Sequence, residues 1–240
     1  MLTTRDHSVR DYADLRDMDA TDVGVLSEDD SACLEKLGQY LVASQAWDRF
    51  AIWLLHKHFE PTDGEVFVER ALTAPREIRT APVQRSVCES LDMTAIRFDE
   101  SADSGVGVVG MEFASPADFG DTSPLSDDDE SALRGIAERL QAHGKLDRFG
   151  VRLIRNPLRI SDDELLNETF NSVNRTLHCS VAESDEVLNE QGTVQTAWRW
   201  TVAPGENGPV VMQQCTATCH AVGEGHDLVH EHEEDFGGND

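Results

Sequence analysis

The sequence predicts an α+β fold made of two tandem copies of one module, a helix followed by mostly antiparallel strands, with a pseudo-twofold duplication relating the copies. Two observations predict it. When the chain is aligned with itself at an offset of 99 residues, 27–69 matches 126–168 at thirteen of 43 positions. The match resumes at an offset of 102, where 94–113 meets 196–215 with five of 20 positions identical. Two runs in the same order, without internal gaps, indicate an internal repeat.

These alignments set the expected domain boundaries. The first copy is predicted to cover 25–118 and the second 124–222. Residues 1–24 are interpreted as a polar N-terminal arm and 223–240 as an acidic, histidine-containing tail. A chain of 240 residues with 39% apolar residues is long enough for one large or two small domains with a real core.

Each copy is predicted to begin with a helix. Ser27 and Ser126 are each followed by three acidic residues, so the hydroxyl can cap free N–H groups and the carboxylates meet the positive end of the helix. Gly144 is expected to end the second helix. Within the two predicted helices, apolar residues recur at helical spacing: Leu34, Leu37 and Leu41 in the first, and Leu133, Ile136 and Leu140 in the second.

Strands are predicted after each helix because the apolar runs are short, dense and bounded by turn residues such as Asp63-Gly64. The expected strands are 49–55, 65–69, 94–98 and 106–113 in the first copy, and 148–154, 165–170, 194–201 and 209–215 in the second. Each copy is therefore one helix with about three or four strands, and the helices should cover one or two sheets.

Function is expected where the two copies differ, since shared positions most simply report shared folding. The clearest difference is His56-Lys57-His58, which faces 155–157 in the alignment. In an extended strand His56 and His58 project from the same face, and two imidazoles so placed can chelate a transition metal. Glu65, past the turn, could add a carboxylate, although Glu164 holds the equivalent position without histidines, so a structural role for Glu65 stays open.

A second difference lies at the end of the second copy, where Cys215, Cys219 and His220 have no counterparts in the first copy. Packing about a pseudo-twofold could bring this group to His56 and His58. The sequence therefore predicts one transition-metal site, with Zn or Fe, built by the two histidines and completed by Glu65 or by the Cys/His group. Three more histidines, ordered or solvated, lie in the acidic tail: His226, His230 and His232.

The net charge limits which partners the protein can bind. The chain has 46 acidic and 20 basic residues, a formal charge of −26, which opposes binding to nucleic acid. It has no apolar run of about 20 residues and no signal-peptide pattern, so we expect a cytoplasmic protein without a membrane partner. Acidic excess with few lysines is typical of halophilic proteins. Five cysteines, an odd number, do not indicate a disulfide framework.

Two functions stay open. The first is a protein with a single His/Cys metal site, which includes the case of a metal-dependent enzyme. The sequence does not specify whether the reaction is hydrolysis or oxidation, nor the catalytic residues; Glu112 is one candidate base. The alternative is a non-catalytic protein- or ligand-binding module of a halophilic organism, with no metal. The partner, whether small molecule or protein, is not predicted. The sequence contains no GxGxxG, GxxxxGK[ST], GxSxG or HExxH motif.

Overall fold

Eleven strands form one continuous sheet in the computed structural model of the chain, which describes residues 3–18, 23–88, 90–101, 105–119, 125–205 and 208–220. The predicted tail 223–240, with His226, His230 and His232, lies outside the described residues. The strands are β1 (Thr3–Arg5), β2 (Phe50–Leu54), β3 (Glu65–Thr73), β4 (Arg76–Gln84), β5 (Asp92–Ser101), β6 (Gly105–Ala114), β7 (Phe149–Leu153), β8 (Glu164–Asn171), β9 (Thr176–Glu183), β10 (Thr193–Gly205) and β11 (Gly208–His220).

The two long helices begin where the sequence predicts. Ser27 and Ser126 are the N-caps, and each forms a capping box in which its hydroxyl accepts from the third helical residue, whose carboxylate accepts from the cap. Gly144, at φ +62°, follows the second of these helices. The helices are α1 (Val9–Ala13), α2 (Glu28–Ala43), α3 (Pro116–Phe119), α4 (Asp127–Ala142) and α5 (Ser184–Leu188), with a 3-10 turn at Arg85–Val87. None of the described helices is long and apolar enough to cross a membrane.

The sheet closes on itself. Its order is β1-β6-β3-β4-β9-β8-β11-β10-β2-β7-β5, and β5 also pairs with β6, so ten strands form a closed barrel with β1 on its outside edge. Most neighbours are antiparallel; the parallel pairs are β1 with β6, β3 with β6, and β8 with β11. A closed barrel satisfies the backbone hydrogen bonds of every strand and leaves no edge among the ten.

The predicted α+β fold of two tandem helix-and-strand modules is therefore wrong. Strands from residues 28–114 and 127–220 share one barrel, because β2 pairs with both β7 and β10, while β4 pairs with β9. The cause is two strands that the pattern did not predict. β4 contains Pro82 and three charged residues in its first four, and β9 contains His178 and Ser180, so neither shows the apolar pattern of a buried strand. Their pairing joins what looked like separate sheets.

Helix, strand, hairpin and hairpin nevertheless follow one another in the same order in both halves of the chain. The parallel pairs match as well: Glu69 on β3 lies opposite Ala114 on β6, and Glu168 on β8 lies opposite Cys219 on β11. Glu69 and Glu168, which are aligned in the sequence, therefore each lie in a parallel strand pairing of the one barrel.

The barrel wall has two buried faces, because successive strand residues point to opposite sides. One face packs against α2 and α4 and includes Phe50, Ile52, Phe149 and Trp198. The opposite face lines the interior, where Trp53, Phe67 and other apolar residues form a second cluster. α1 belongs to this second cluster through Tyr12, whose ring lies 4.1 Å from that of Phe67.

Candidate metal centre

His56 and His58 lie just beyond the end of β2, in the connection to β3. The segment between them is held by the N-terminal residues. The backbone N–H of Lys57 donates to the Arg16 carbonyl at 2.9 Å, and its carbonyl accepts from Met18 at 3.0 Å. The Lys57 ammonium donates to the carbonyl of Ala13 at 2.7 Å. Residues 13–18, expected to form part of a polar arm, thus fix the histidine-bearing segment.

The tautomer of His56 follows from its surroundings. Its Nδ1 lies 2.7 Å from the carbonyl oxygen of Leu54, which can only accept, so Nδ1 carries a proton. A neutral His56 therefore presents the lone pair of Nε2, as metal-binding histidines do when a backbone carbonyl fixes the other nitrogen. The side chain is buried.

Glu168, on β8, completes a cluster with the two histidines. Its Oε2 lies 3.3 Å from His56 Nε2 and 3.8 Å from His58 Nε2, and the two Nε2 atoms are 3.2 Å apart. All three side chains are at most 3% exposed. The cluster could hold a metal ion, because three ligand atoms point at one buried space.

The electrostatics of Glu168 match this arrangement. Burial alone would raise its pKa, but hydrogen bonding and charge from His56 and His58 outweigh burial and hold the pKa of this carboxyl below its usual range. The carboxyl is therefore an anion facing two imidazoles, which is the charge state that a metal ligand requires.

Four of the six ligand candidates named from the sequence lie outside this cluster. Glu65 accepts from both terminal nitrogens of Arg175, at 2.6 and 2.8 Å, and from the Thr62 amide at 2.7 Å. These contacts, above all the hydrogen bonds from Arg175, lower the pKa of Glu65 to about 2. Both carboxylate oxygens of Glu65, at the start of β3, thus form hydrogen bonds with Arg175, which directly precedes β9.

The Cys/His group at the end of β11 approaches the cluster at one point. Cys219 places Sγ 3.9 Å from His58 Nε2, but the set of mutually close ligand atoms does not include it. The Cys215 thiol donates to the Ala217 carbonyl at 3.2 Å, and burial raises its pKa to about 12. His220 is the last residue of β11 and pairs with Thr193.

A second buried charge cluster lies nearby in the barrel. Arg152 on β7 contacts both Glu69 on β3 and Glu112 on β6. One guanidinium thus forms ion pairs with two carboxylates. Burial, together with the charges of Glu69 and Glu168, raises the pKa of Glu112 to about 8 despite the opposing effect of Arg152.

A cavity of about 140 Å³ opens between the two clusters and the barrel rim. Glu168, Glu69 and Arg152 line it, so Glu168 borders both the cavity and the candidate metal site. Arg155 and Arg199 lie in its wall as well. A small molecule in this cavity would be next to the carboxylate of the cluster.

Sequence reasoning missed Glu168, although a signal was present. The first aligned run of the chain with itself ends on the identical pair Glu69 and Glu168. Because identical positions most simply report a shared fold, this glutamate does not stand out as a ligand. The structure shows that this shared glutamate faces Arg152 in one half and two histidines in the other.

Comparisons with known proteins returned nothing for this chain: no family model matches it, and neither the curated proteins nor the solved structures contain a significant match.

Proposed function

We propose that this protein is a metal-dependent enzyme in which His56, His58 and Glu168 bind one divalent transition metal beside the barrel cavity. The observation behind the proposal is the convergence of three buried ligand atoms within 3.8 Å of one another. At these distances the carboxylate oxygen and the two imidazole nitrogens need a shared proton or a cation between them. A metal ion meets that requirement.

Zinc is the first choice of metal. Tetrahedral bonds of 2.0–2.1 Å separate ligand atoms by about 3.3–3.4 Å, which is near the separations of 3.2, 3.3 and 3.8 Å. Two histidines and one carboxylate also suit Fe(II), but octahedral neighbours at similar bond lengths are only about 3.0 Å apart. Because zinc has no redox chemistry, this choice favours hydrolysis over oxidation.

Three protein ligands leave a coordination position for water or substrate, and a zinc ion so held lowers the pKa of water or polarises a carbonyl. The chain supplies the rest. The Leu54 carbonyl orients His56, the 13–18 segment fixes His58, and the apolar barrel wall limits access of bulk water. Glu168 borders the cavity, so a bound substrate lies against the cluster. With a charge of −26, nucleic acid and anionic membranes stay excluded as partners in this proposal.

A second candidate, a non-catalytic ligand-binding module without metal, has one observation in its favour. Glu168 lies within ion-pair distance of both histidines, so a protonated imidazole could neutralise it in place of a metal. In that case the cluster would be a structural polar network and the cavity a plain binding pocket.

Metal analysis of protein purified without an affinity tag separates the two candidates. The proposal predicts about one zinc per chain, and loss of that metal in the His56→Ala and Glu168→Gln variants. Glu65→Gln is the matched control: it removes one carboxylate charge, held by Arg175, and should leave the metal content unchanged. Absence of stoichiometric transition metal would favour the metal-free module, and equal, stoichiometric metal content in wild type and Glu168→Gln would show that Glu168 is not a ligand.

Cobalt substitution tests the fourth position. If Cys219 is outside the coordination sphere, the spectrum of the Co(II) form should lack a thiolate charge-transfer band and should be the same in Cys219→Ser. A band that disappears in Cys219→Ser would instead make this thiol the fourth ligand, as the sequence suggests.

A further inference from the structure

The barrel cavity carries a mixture of charges that are paired in a specific way. Glu164 accepts from Arg76 at 2.6 and 2.9 Å, and Arg199 donates to Asp162 at 2.7 Å. In the same cavity Arg152 pairs with Glu69, and Glu168 faces the histidines. These charged residues of the cavity wall therefore already have partners.

Arg155 is different. Its Nε and Nη1 atoms are buried, and within the described residues neither has a hydrogen-bond partner. Asp92 and Glu69 contribute favourable charge from a distance, but burial dominates and lowers the pKa of Arg155. Arg155 lines the cavity and its side chain is partly buried. A partly buried guanidinium with unmade hydrogen bonds is costly, and an anion in the cavity would give it a partner.

The geometry of the guanidinium selects the anion. Its planar fork matches carboxylate or phosphate oxygens in a bidentate manner. A multiply charged phosphate is disfavoured here, because Glu69 and Glu168 line the same cavity. A single negative charge is compatible with both the fork and these carboxylates.

The rest of the wall selects the body of the ligand. The cavity has apolar lining residues beside its charged ones, among them Ala51, Ile78, Leu166 and Ala197. A volume of about 140 Å³ is close to the roughly 150 Å³ that accommodates benzene in a protein interior. The occupant is thus limited to about six or seven non-hydrogen atoms.

We infer that the cavity binds a short-chain monocarboxylate whose carboxylate is held by Arg155 and whose apolar body extends toward Glu168. The inference rests on the proposed function, because it names the class of substrate or product that the metal site would act on. The class of molecule that the enzyme would hydrolyse is then a small monocarboxylate whose other end carries an ester or amide beside Glu168; water adds to that acyl carbon, the alcohol or amine leaves, and the carboxylate on Arg155 stays unchanged.

Butyrate is the probe, measured by isothermal titration calorimetry at one fixed salt concentration. Wild-type protein should bind butyrate saturably, the neutral isostere butyramide at least tenfold more weakly, and inorganic phosphate more weakly than butyrate. Arg155→Gln should lose at least tenfold in butyrate affinity and keep the wild-type metal content. Arg79→Gln, which removes an exposed arginine that pairs with Glu77, is the matched control and should bind normally.

A structural role for Arg155 is separated by thermal melting. Arg155→Met without ligand should melt at or above the wild-type temperature, because it removes a partly buried charge that has no partner among the described residues. A large drop in melting temperature, or equal binding of butyrate and butyramide, or full butyrate affinity in Arg155→Gln, would overturn the inference. Metal at stoichiometry without butyrate binding refutes the inference alone; butyrate binding that needs Arg155 in a protein without metal refutes only the proposed function.

Discussion

Glu69 and Glu168 are aligned in the sequence, but Glu69 contacts an arginine and Glu168 contacts histidines. Each lies in the parallel pairing of its half, opposite Ala114 and Cys219 respectively. Glu69 forms an ion pair with Arg152, whereas Glu168 faces His56 and His58. Of two glutamates that line one cavity, one is therefore a salt-bridged carboxylate and the other a candidate metal ligand, and the difference lies in the residues around them.

The burial of Glu112 beside other carboxylates makes stability depend on pH. Glu112 has a pKa near 8 in the folded chain against about 4.5 unfolded, so the folded state holds an extra proton between these values. The free energy of unfolding should fall as pH rises from 5 to 8, by up to about 1.4 kcal/mol per pH unit for one proton.

Glu112→Gln should remove that slope and should be more stable than wild type at pH 8. Urea unfolding of both proteins at several pH values measures the difference. Parallel pH profiles for the two proteins would contradict the predicted proton uptake at Glu112.

The contact of α2 with the barrel wall tests the fold. A Cβ at Gly38 would collide with the indole of Trp200 on β10. In an exposed helix Gly→Ala stabilises by about 0.5–1 kcal/mol, but here overpacking should destabilise by about 1–3 kcal/mol. Urea unfolding of Gly38→Ala should therefore give a lower midpoint than wild type; a higher midpoint would show that α2 does not lie against β10 at this residue.

Ionic strength tests the assignment to a salt-loving organism. With a charge of −26, repulsion acts over a Debye length of about 30 Å at 0.01 M salt and about 3 Å at 1 M. The melting temperature should rise steeply between low and molar KCl. A flat or falling curve would leave the acidity as a local feature of the surface.

Local elements could be predicted from the sequence because their signals are local. The capped helices beginning after Ser27 and Ser126, and the dense apolar strands β2 and β7, follow from hydroxyl caps and short apolar runs. The closed barrel could not be predicted in the same way. It depends on β4 and β9, whose charged and polar residues hide the strand pattern, and on pairings between residues far apart in the chain.

The site was half predicted for the same reason. His56-x-His58 is visible as a local motif, but Glu168 comes from a distant strand and is identical in both halves. The sequence predicts that both histidines lie on one face of a continuing strand. In the structure β2 ends at Leu54 and the histidines lie in the following connection. The third ligand, Glu168, is brought to the histidines by the fold and could not be identified from spacing in the sequence.

The most direct measurement is the anomalous scattering of crystals of untagged protein, recorded at the zinc absorption edge. We expect one strong peak about 2.0–2.2 Å from His56 Nε2, His58 Nε2 and a carboxylate oxygen of Glu168. A map without a peak at this position in protein supplied with zinc, with the two Nε2 atoms and Glu168 joined only by hydrogen bonds, would contradict the metal site.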